Sequence, residues 1–420
     1  MPPGQLLRAR QRSGGAGDLR HGNLTQILRY VRDHGPSSRQ DIARGCGLGI
    51  STMTDLIGEL RARRLVRELD AVRGPRAGRP TRPIDLDGDP WCVLGAHVDL
   101  LEVQVLCTTV GGREIFRERI PVPLLHTGAE AGYALLRSVL CSQLGRIPED
   151  LTLVAVQLGL PGYVAADRGI VSSSSFLGWD GMPLETLVYD TLYSAGFENV
   201  TVGIGQDSHL AALHAVREEL RLPLPRLAVY VGGLREVGGA VVLDGEIFQG
   251  ADGGAGDFGH AHVDPEGPLC SCGRHGCLNS LIGPTYLLVQ GGLADQSGAE
   301  QLVVEDPYQA LRRLADAGEA GDRQVLAVLA RAGTALGRAL DDVIGALNPD
   351  VVALGGYLAV LQPFLLDGLQ DQISRRLRVE AFAGTALVTL ARTEPRVSLG
   401  AALAARDACL SDPLNLTHVV

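Results

Sequence analysis

Lysine is absent from this 420-residue chain, so arginine supplies all of its fixed positive charge. We read that as a trait of composition and not of chemistry. Also absent is any uninterrupted apolar run of about 18 residues, the length that a membrane-spanning helix needs. The nearest approach, Val351 to Leu366, is broken by paired glycines, Gln362 and Pro363. Arg8, Arg10 and Arg12 are followed by no apolar block, which argues against a secretory signal, and the expected location is the cytoplasm. In that compartment the eight cysteines read as thiols or metal ligands, not as disulfides.

What is present is ordinary for a folded protein: 45% apolar and 20% charged residues, enough chain for two to four domains. The formal net charge of −10 hides an asymmetry. Residues 1–83 hold 16 Arg against 7 Asp and Glu, a balance of +9, and the remainder balances at −19. A basic head on an acidic body suggests a nucleic-acid-binding module joined to something else.

Residues 1–20 are rich in Gly, Pro, Gln and Arg and read as a flexible basic arm. From Asn23 the pattern changes. Ile27, Leu28 and Val31 fall at helical spacing, and His34-Gly35-Pro36 ends that helix. Ser38 is the expected cap of a second helix, with Asp41 three residues on. Ser51 is the expected cap of a third, whose Met53, Leu56, Ile57 and Leu60 repeat on one face. Leu65 to Leu69 and Ile84 to Leu86 alternate like short strands around a Gly/Pro/Arg loop. Three helices and a ribbon within residues 21–86 make a winged helix-turn-helix pattern. The exposed positions of the third helix are short and polar, as at the end of a recognition helix that enters a major groove. Candidate DNA contacts are Arg39, Ser51, Thr52, Thr54, Asp55 and Arg61, with Arg79 between Gly78 and Pro80 at a wing tip that suits a minor groove.

Asp87 to Pro90 is a plausible hinge into a larger α/β body. Strands are expected at 93–98, 102–107, 153–158, 227–231, 239–243 and 351–354, and helices at 129–144, 207–219, 322–347 and 398–408. Ser172 to Ser175 reads as a polar loop. Trp91 and Trp179 are as well suited to packing as to stacking on a ligand.

The sharpest local signal is His260 followed by Cys270, Cys272 and Cys277. One imidazole and three thiolates make a tetrahedral zinc set with no open position, which implies structural Zn2+. His262 and His275 compete for the nitrogen position.

In order, the Asn23 helix, the Gly78-Arg79-Pro80 wing, Gly159-Leu160-Pro161-Gly162, Leu243-Asp244-Gly245, Ala255 to His260, the cysteine cluster and Asn348-Pro349-Asp350 with Gly355-Gly356 resemble the ROK family of repressors and sugar kinases. The resemblance covers about residues 20–408. It implies a winged helix-turn-helix followed by a two-lobed, actin-like (ribonuclease-H-like) body. The lobes fall at 91–205, with a C-terminal helix 398–412, and at 206–397 with the zinc site. The sugar site implied lies between them, at Gln206, Asp207, Asp257, His260 and Asn279. Kinases of the family carry a D-x-G-G-T loop; the corresponding His97-Val98-Asp99-Leu100-Leu101 lacks its first acid and both glycines. The G-T-G-x-G loop aligns with Leu234 to Gly238, where Glu236 repels phosphate. Asp257 and Asn279 stand where the family carries Glu, and Phe176 where it carries Asn.

The implied function is a DNA-binding repressor of carbohydrate genes, controlled by a sugar or sugar-phosphate effector. A homodimer or homotetramer would match an operator built as an inverted repeat. The alternatives are an ATP-dependent sugar kinase with a vestigial head, and a DNA-binding protein whose body only dimerises.

Overall fold

Local signals build the N-terminal head. The computed structural model describes residues 16–71, 81–220, 222–391, 396–414 and 416. Helix α1 (Ala16–His34) corrects the expected arm, because residues 16–20 are helical. The buried stripe Leu24, Ile27, Leu28 and Val31 anchors the helix, and each residue added upstream gains a hydrogen bond without a new nucleus. Helix α2 (Arg39–Cys46) starts where Ser38 accepts the Asp41 N–H and stops at Gly47, left-handed at φ 66°. Helix α3 (Ile50–Ala62) is capped by extended Gly49, so Ser51 lies inside the first turn and is not the cap. Strands β1 (Val66–Glu68) and β2 (Ile84–Leu86) pair antiparallel, which completes a winged-helix arrangement. The Arg79 wing tip lies outside the described residues.

The body contains two five-stranded sheets of one topology. In the first, β3 (Trp91–Val98), β4 (Glu102–Thr109) and β5 (Glu114–Pro121) form an antiparallel meander. Helix α4 (Ala129–Leu144) then carries the chain to β6 (Thr152–Leu160), parallel to β3. A small sheet of β7 (Tyr163–Ala165), β8 (Ile170–Ser174) and β9 (Trp179–Met182) follows. Ser172 to Ser174 are therefore strand residues, not a loop. Helix α5 (Leu184–Ser194) leads to β10 (Thr201–Gln206), parallel to β6.

The second sheet repeats this order. Strands β11 (Leu227–Gly232), β12 (Gly238–Leu243) and β13 (Glu246–Ile247) are antiparallel. Helices α7 (Asn279–Ile282), α8 (Pro284–Gln290), α9 (Gln296–Glu305), α10 (Pro307–Glu319) and α11 (Arg323–Leu347) precede β14 (Val351–Leu354), parallel to β11. Helix α12 (Tyr357–Leu377), which runs through Pro363, precedes β15 (Ala386–Thr389), parallel to β14. Parallel neighbours need such crossovers, which is why helices cluster there.

Two further helices join the sheets. Helix α6 (Asp207–His214) follows β10 directly, packs on β12 and ends in a π turn, Ala215–Glu219. Helix α13 (Val397–Ser411) packs on β3, β6 and α6. A Cβ at Gly400 would lie 1.8 Å from the Leu210 carbonyl oxygen, so glycine lets α13 and α6 touch backbone to backbone. The head shares one apolar core with the body: Leu24, Ile27, Met53 and Ile57 belong to the same cluster as Trp91, Val93, Ala405 and Leu410. Trp91 is buried there and donates to the Arg63 carbonyl over 3.1 Å, and Trp179 is equally buried, donating to the Gly128 carbonyl over 3.0 Å. Both tryptophans are packing residues. No helix among the described residues is long and apolar enough to cross a membrane.

Candidate functional site

A cavity of about 630 Å³ lies between the two sheets. Its floor is made where strands end. The β10–α6 junction supplies Gln206, Asp207 and Ser208, the end of β3 supplies His97 and Asp99, and the β11–β12 loop supplies Arg235 and Glu236. Asp257 and His260 reach it from the segment after β13, and Tyr163 from β7.

Charges in this cavity are arranged unevenly. Arg235 donates to Asp99 over 2.8 Å and to the Val304 carbonyl from Nε and Nη2. Both side chains of the ion pair are only 12% exposed. Burial alone would push the Asp99 carboxyl up, but His97 and Arg235 outweigh it and hold it below the usual carboxylate range. Burial also lowers His97, whose Nδ1 is buried without a hydrogen-bond partner. Asp207 Oδ1 accepts the Ser208 N–H over 2.6 Å. Burial, reinforced by the Asp99 and Glu236 charges, pushes the Asp207 carboxyl up to about 7. Glu236 is likewise raised by burial. Asp257 accepts the Tyr163 hydroxyl over 2.9 Å. The floor therefore offers polar acceptors of mixed charge state, suited to a ligand rich in hydroxyl groups.

Of the expected ligand residues, Gln206, Asp207, Asp257 and His260 line this cavity. Asn279 does not; its Oδ1 accepts the Val237 N–H over 3.0 Å, and it bonds Glu236 from behind. A first-turn position in α7 points it at the β11–β12 loop. Asp99, Arg235 and Tyr163 were not singled out as ligand-site residues by sequence. Their partners are remote in the chain, and only the Gly159–Gly162 turn beside Tyr163 hinted at that corner.

Next to the cavity, ligand atoms of His260, Cys270, Cys272 and Cys277 all lie within 4.8 Å of one another. The Cys270 Sγ–His260 Nδ1 and Cys272 Sγ–Cys277 Sγ separations are both 3.5 Å. Donors about 2.0–2.3 Å from one tetrahedral centre lie roughly 3.3–3.8 Å apart, so these two separations suit a zinc-sized ion. His275 is turned away, its Nδ1 3.0 Å from the Gly267 carbonyl, which leaves His260 as the imidazole of the cluster. The loop needs glycine at 276, where φ is 65° and a Cβ would sit 1.5 Å from the Asp264 carbonyl oxygen. The Arg274 backbone N–H, and then its guanidinium, hold the Cys272 thiol down to about 6, which favours the thiolate that a metal requires. The cluster can hold a metal ion.

In the head, Ser51, Thr52, Thr54 and Asp55 are exposed on α3, and the Thr54 hydroxyl donates back to the Ile50 carbonyl over 3.0 Å. Arg39 and Arg61 converge on Glu68 of β1: Arg39 in a close ion pair, Arg61 at 3.2 Å, with Arg82 at 3.8 Å. Burial opposes the charge of Glu68, but these arginines outweigh it and hold the carboxyl below its usual range. A shallow concavity beside them is lined by Arg61, Arg64, Arg67 and Arg82.

Residues 117–408 match the ROK family, and the chain belongs to it. It is 23% identical over 401 residues to the DNA-binding transcriptional dual regulator NagC of Escherichia coli (strain K12), covering 95% of each chain. It is 26% identical over 293 residues to a glucokinase of Halalkalibacterium halodurans, covering 67% of this chain and 85% of that one. The crystal structure of a ROK family transcriptional regulator, a homolog of the E. coli MLC protein, superposes with a TM-score of 0.74 at 21% identity, covering 95% of this chain and 98% of that one. The fold is therefore that of the actin-like ROK proteins, with an N-terminal helical head. Regulators and kinases both stand among the relatives.

Proposed function

We propose that this chain is a sequence-specific DNA-binding regulator whose cleft takes a sugar-like effector, and that it is not a kinase. One observation carries the reading. The winged helix is built into the core of the body, and the regulator likenesses extend over it at 95% of the chain, against 67% for the glucokinase. Two neighbouring observations support the loss of phosphoryl transfer. Arg235 and Asp99 pair across the cleft where the family resemblance puts the phosphate loops, and the neighbouring Leu100 is buried. Glu236 adds a carboxylate to the same loop, against which a polyphosphate would be repelled.

In this reading the α3 face carrying Ser51, Thr52, Thr54 and Asp55 enters the major groove. Arg39 and Arg61 flank it toward the phosphates, and Arg79 is a further candidate contact. A homodimer or homotetramer presents two heads to an inverted repeat. His260, Cys270, Cys272 and Cys277 would hold Zn2+, which when bound cross-links the loop that forms one wall of the cleft. Asp207, Gln206 and Asp257 accept hydrogen bonds from hydroxyl groups of the effector, a sugar or sugar phosphate. The effector works only through its different affinity for two inter-sheet arrangements.

The test is fluorescence anisotropy with duplex DNA from upstream of the chain's own gene, a scrambled duplex and fixed salt, repeated across sugars and sugar phosphates. Specific binding altered by one sugar is expected. Sugar-dependent release of ADP from ATP, measured on the same preparation, would replace this reading with the kinase one.

A further inference from the structure

The head meets the body through two kinds of joint. One is apolar and lies on the first sheet and α13, through Trp91, Val93, Val154, Ala155, Ala405 and Leu410. The other is ionic and reaches the second sheet. Asp407 of α13 takes Arg32 of α1 on Oδ1, at 3.0 Å, and Arg217 of the π turn on Oδ2. Arg217 also donates from Nε to the Gly245 carbonyl over 2.7 Å, in the turn between β12 and β13. Beside that turn, Arg29 of α1 pairs with Glu246 of β13 at 3.2 Å.

The Arg32 and Arg217 side chains are only 5% and 6% exposed. Guanidiniums this dry need their carboxylate, so the three groups are bound to one another and not merely adjacent. Asp33 takes the remaining face of Arg32, at 2.7 and 3.1 Å. Helix α6 starts at Asp207 in the cleft and runs into the π turn that carries Arg217. Its close contact with α13 at Gly400 leaves little freedom for one helix to slide without the other. The π turn that ends α6 aims Arg217 at Asp407.

We propose that the Arg217–Asp407–Arg32 relay, with the Arg29–Glu246 strap, carries the state of the cleft to the DNA-binding head. This rests on the regulator reading above. Helix α1 is fixed by apolar packing to one sheet and by charge to the turn of the other. A rotation between the sheets must therefore break the ionic joint or tilt α1, and with it α2 and α3.

The experiment follows hydrogen exchange of α1, residues 16–34, in the full-length protein. The cleft is untied by combining D99N with R235Q, in the wild-type background and in D407N, R29E and R29E/E246R backgrounds. Untying should change α1 exchange by about fivefold or more in the wild type, the lower end of ordinary site-to-site coupling. The change should vanish in D407N, shrink in R29E and recover in R29E/E246R, where the pair is reversed. An equal α1 response in every background overturns the relay, as does an altered α6 with an unaltered α1. If D407N fails to fold, the R29E arm decides, since Arg29 and Glu246 are 44% and 51% exposed. Anisotropy on the upstream duplex runs in parallel. An α1 response with no specific duplex binding supports the relay and sinks the DNA reading; specific binding with no α1 response sinks the relay alone.

Discussion

Arg235 and Asp99 stand 136 residues apart in the chain and 2.8 Å apart in space, and their ion pair joins the two sheets across the cleft floor. Truncating one partner leaves the other buried without its ion-pair partner. R235A should therefore cost about 3 kcal/mol of unfolding free energy. The neutral pair D99N/R235Q should recover most of that loss, since neither group then needs a counter-charge. Chemical denaturation of the wild type, R235A, D99N, R235Q and D99N/R235Q measures both, and additive losses for the two single variants of the neutral pair would mean that the pair carries no coupling.

The cysteine cluster makes a prediction about metal content. The purified protein should carry close to one zinc per chain. C272S should lose it, whereas C141S, at an exposed thiol outside the cluster, should keep it. Because metal binding is folding free energy for the loop, C272S should also lower the melting temperature and expose residues 260–280 to protease. Elemental analysis with limited proteolysis reads all three effects, and equal zinc in both variants would move the site elsewhere.

That cluster was legible in the sequence because its spacing is short: three of its four ligands fall within eight residues, and glycine at 276 marks the tight turn. The helical stripe of α4 and the Ser38 cap were legible for the same reason, as periodicity and capping are local. The Arg235–Asp99 pair was not, because nothing local in Leu234 to Gly238 says that an arginine will find a carboxylate on another sheet. Asn279 shows the converse. Its resemblance placed it in the ligand set, yet its position in the first turn of α7 commits its side chain to the Val237 N–H. Family position conveys the neighbourhood of a side chain, and the hydrogen bonds it makes there are visible only in the fold. The equal topology of the two sheets was invisible as well, since pairing order leaves no short-period repeat in sequence.

Glu68 places a carboxylate among the arginines of the surface proposed to meet DNA. It neutralises part of their field and fixes where Arg39 and Arg61 point. E68Q should bind a scrambled duplex several-fold more tightly and steepen the salt dependence, because more positive charge becomes free to displace counterions. Discrimination between operator and scrambled duplex should fall. Titrations across a range of salt concentrations measure both, and an unchanged slope would mean that Glu68 does not restrain these arginines in solution.

Asp207 makes stability depend on pH with a definite sign. Its folded carboxyl is raised to about 7 from an ordinary value near 3.8, chiefly by burial. Between those values the folded state holds a proton that the unfolded chain has released. Stability therefore falls as pH rises from about 4 to about 7, and the loss is complete above that. D207N removes this contribution and keeps the shape of the side chain. The variant should match the wild type near pH 4 and exceed it at pH 8 by on the order of 1–3 kcal/mol. A sugar that hydrogen-bonds the charged carboxylate would lower its pKa and shrink the difference. Denaturation profiles at pH 4, 6 and 8 decide the point; a constant gap between the two proteins would show that Asp207 ionises normally in the cleft.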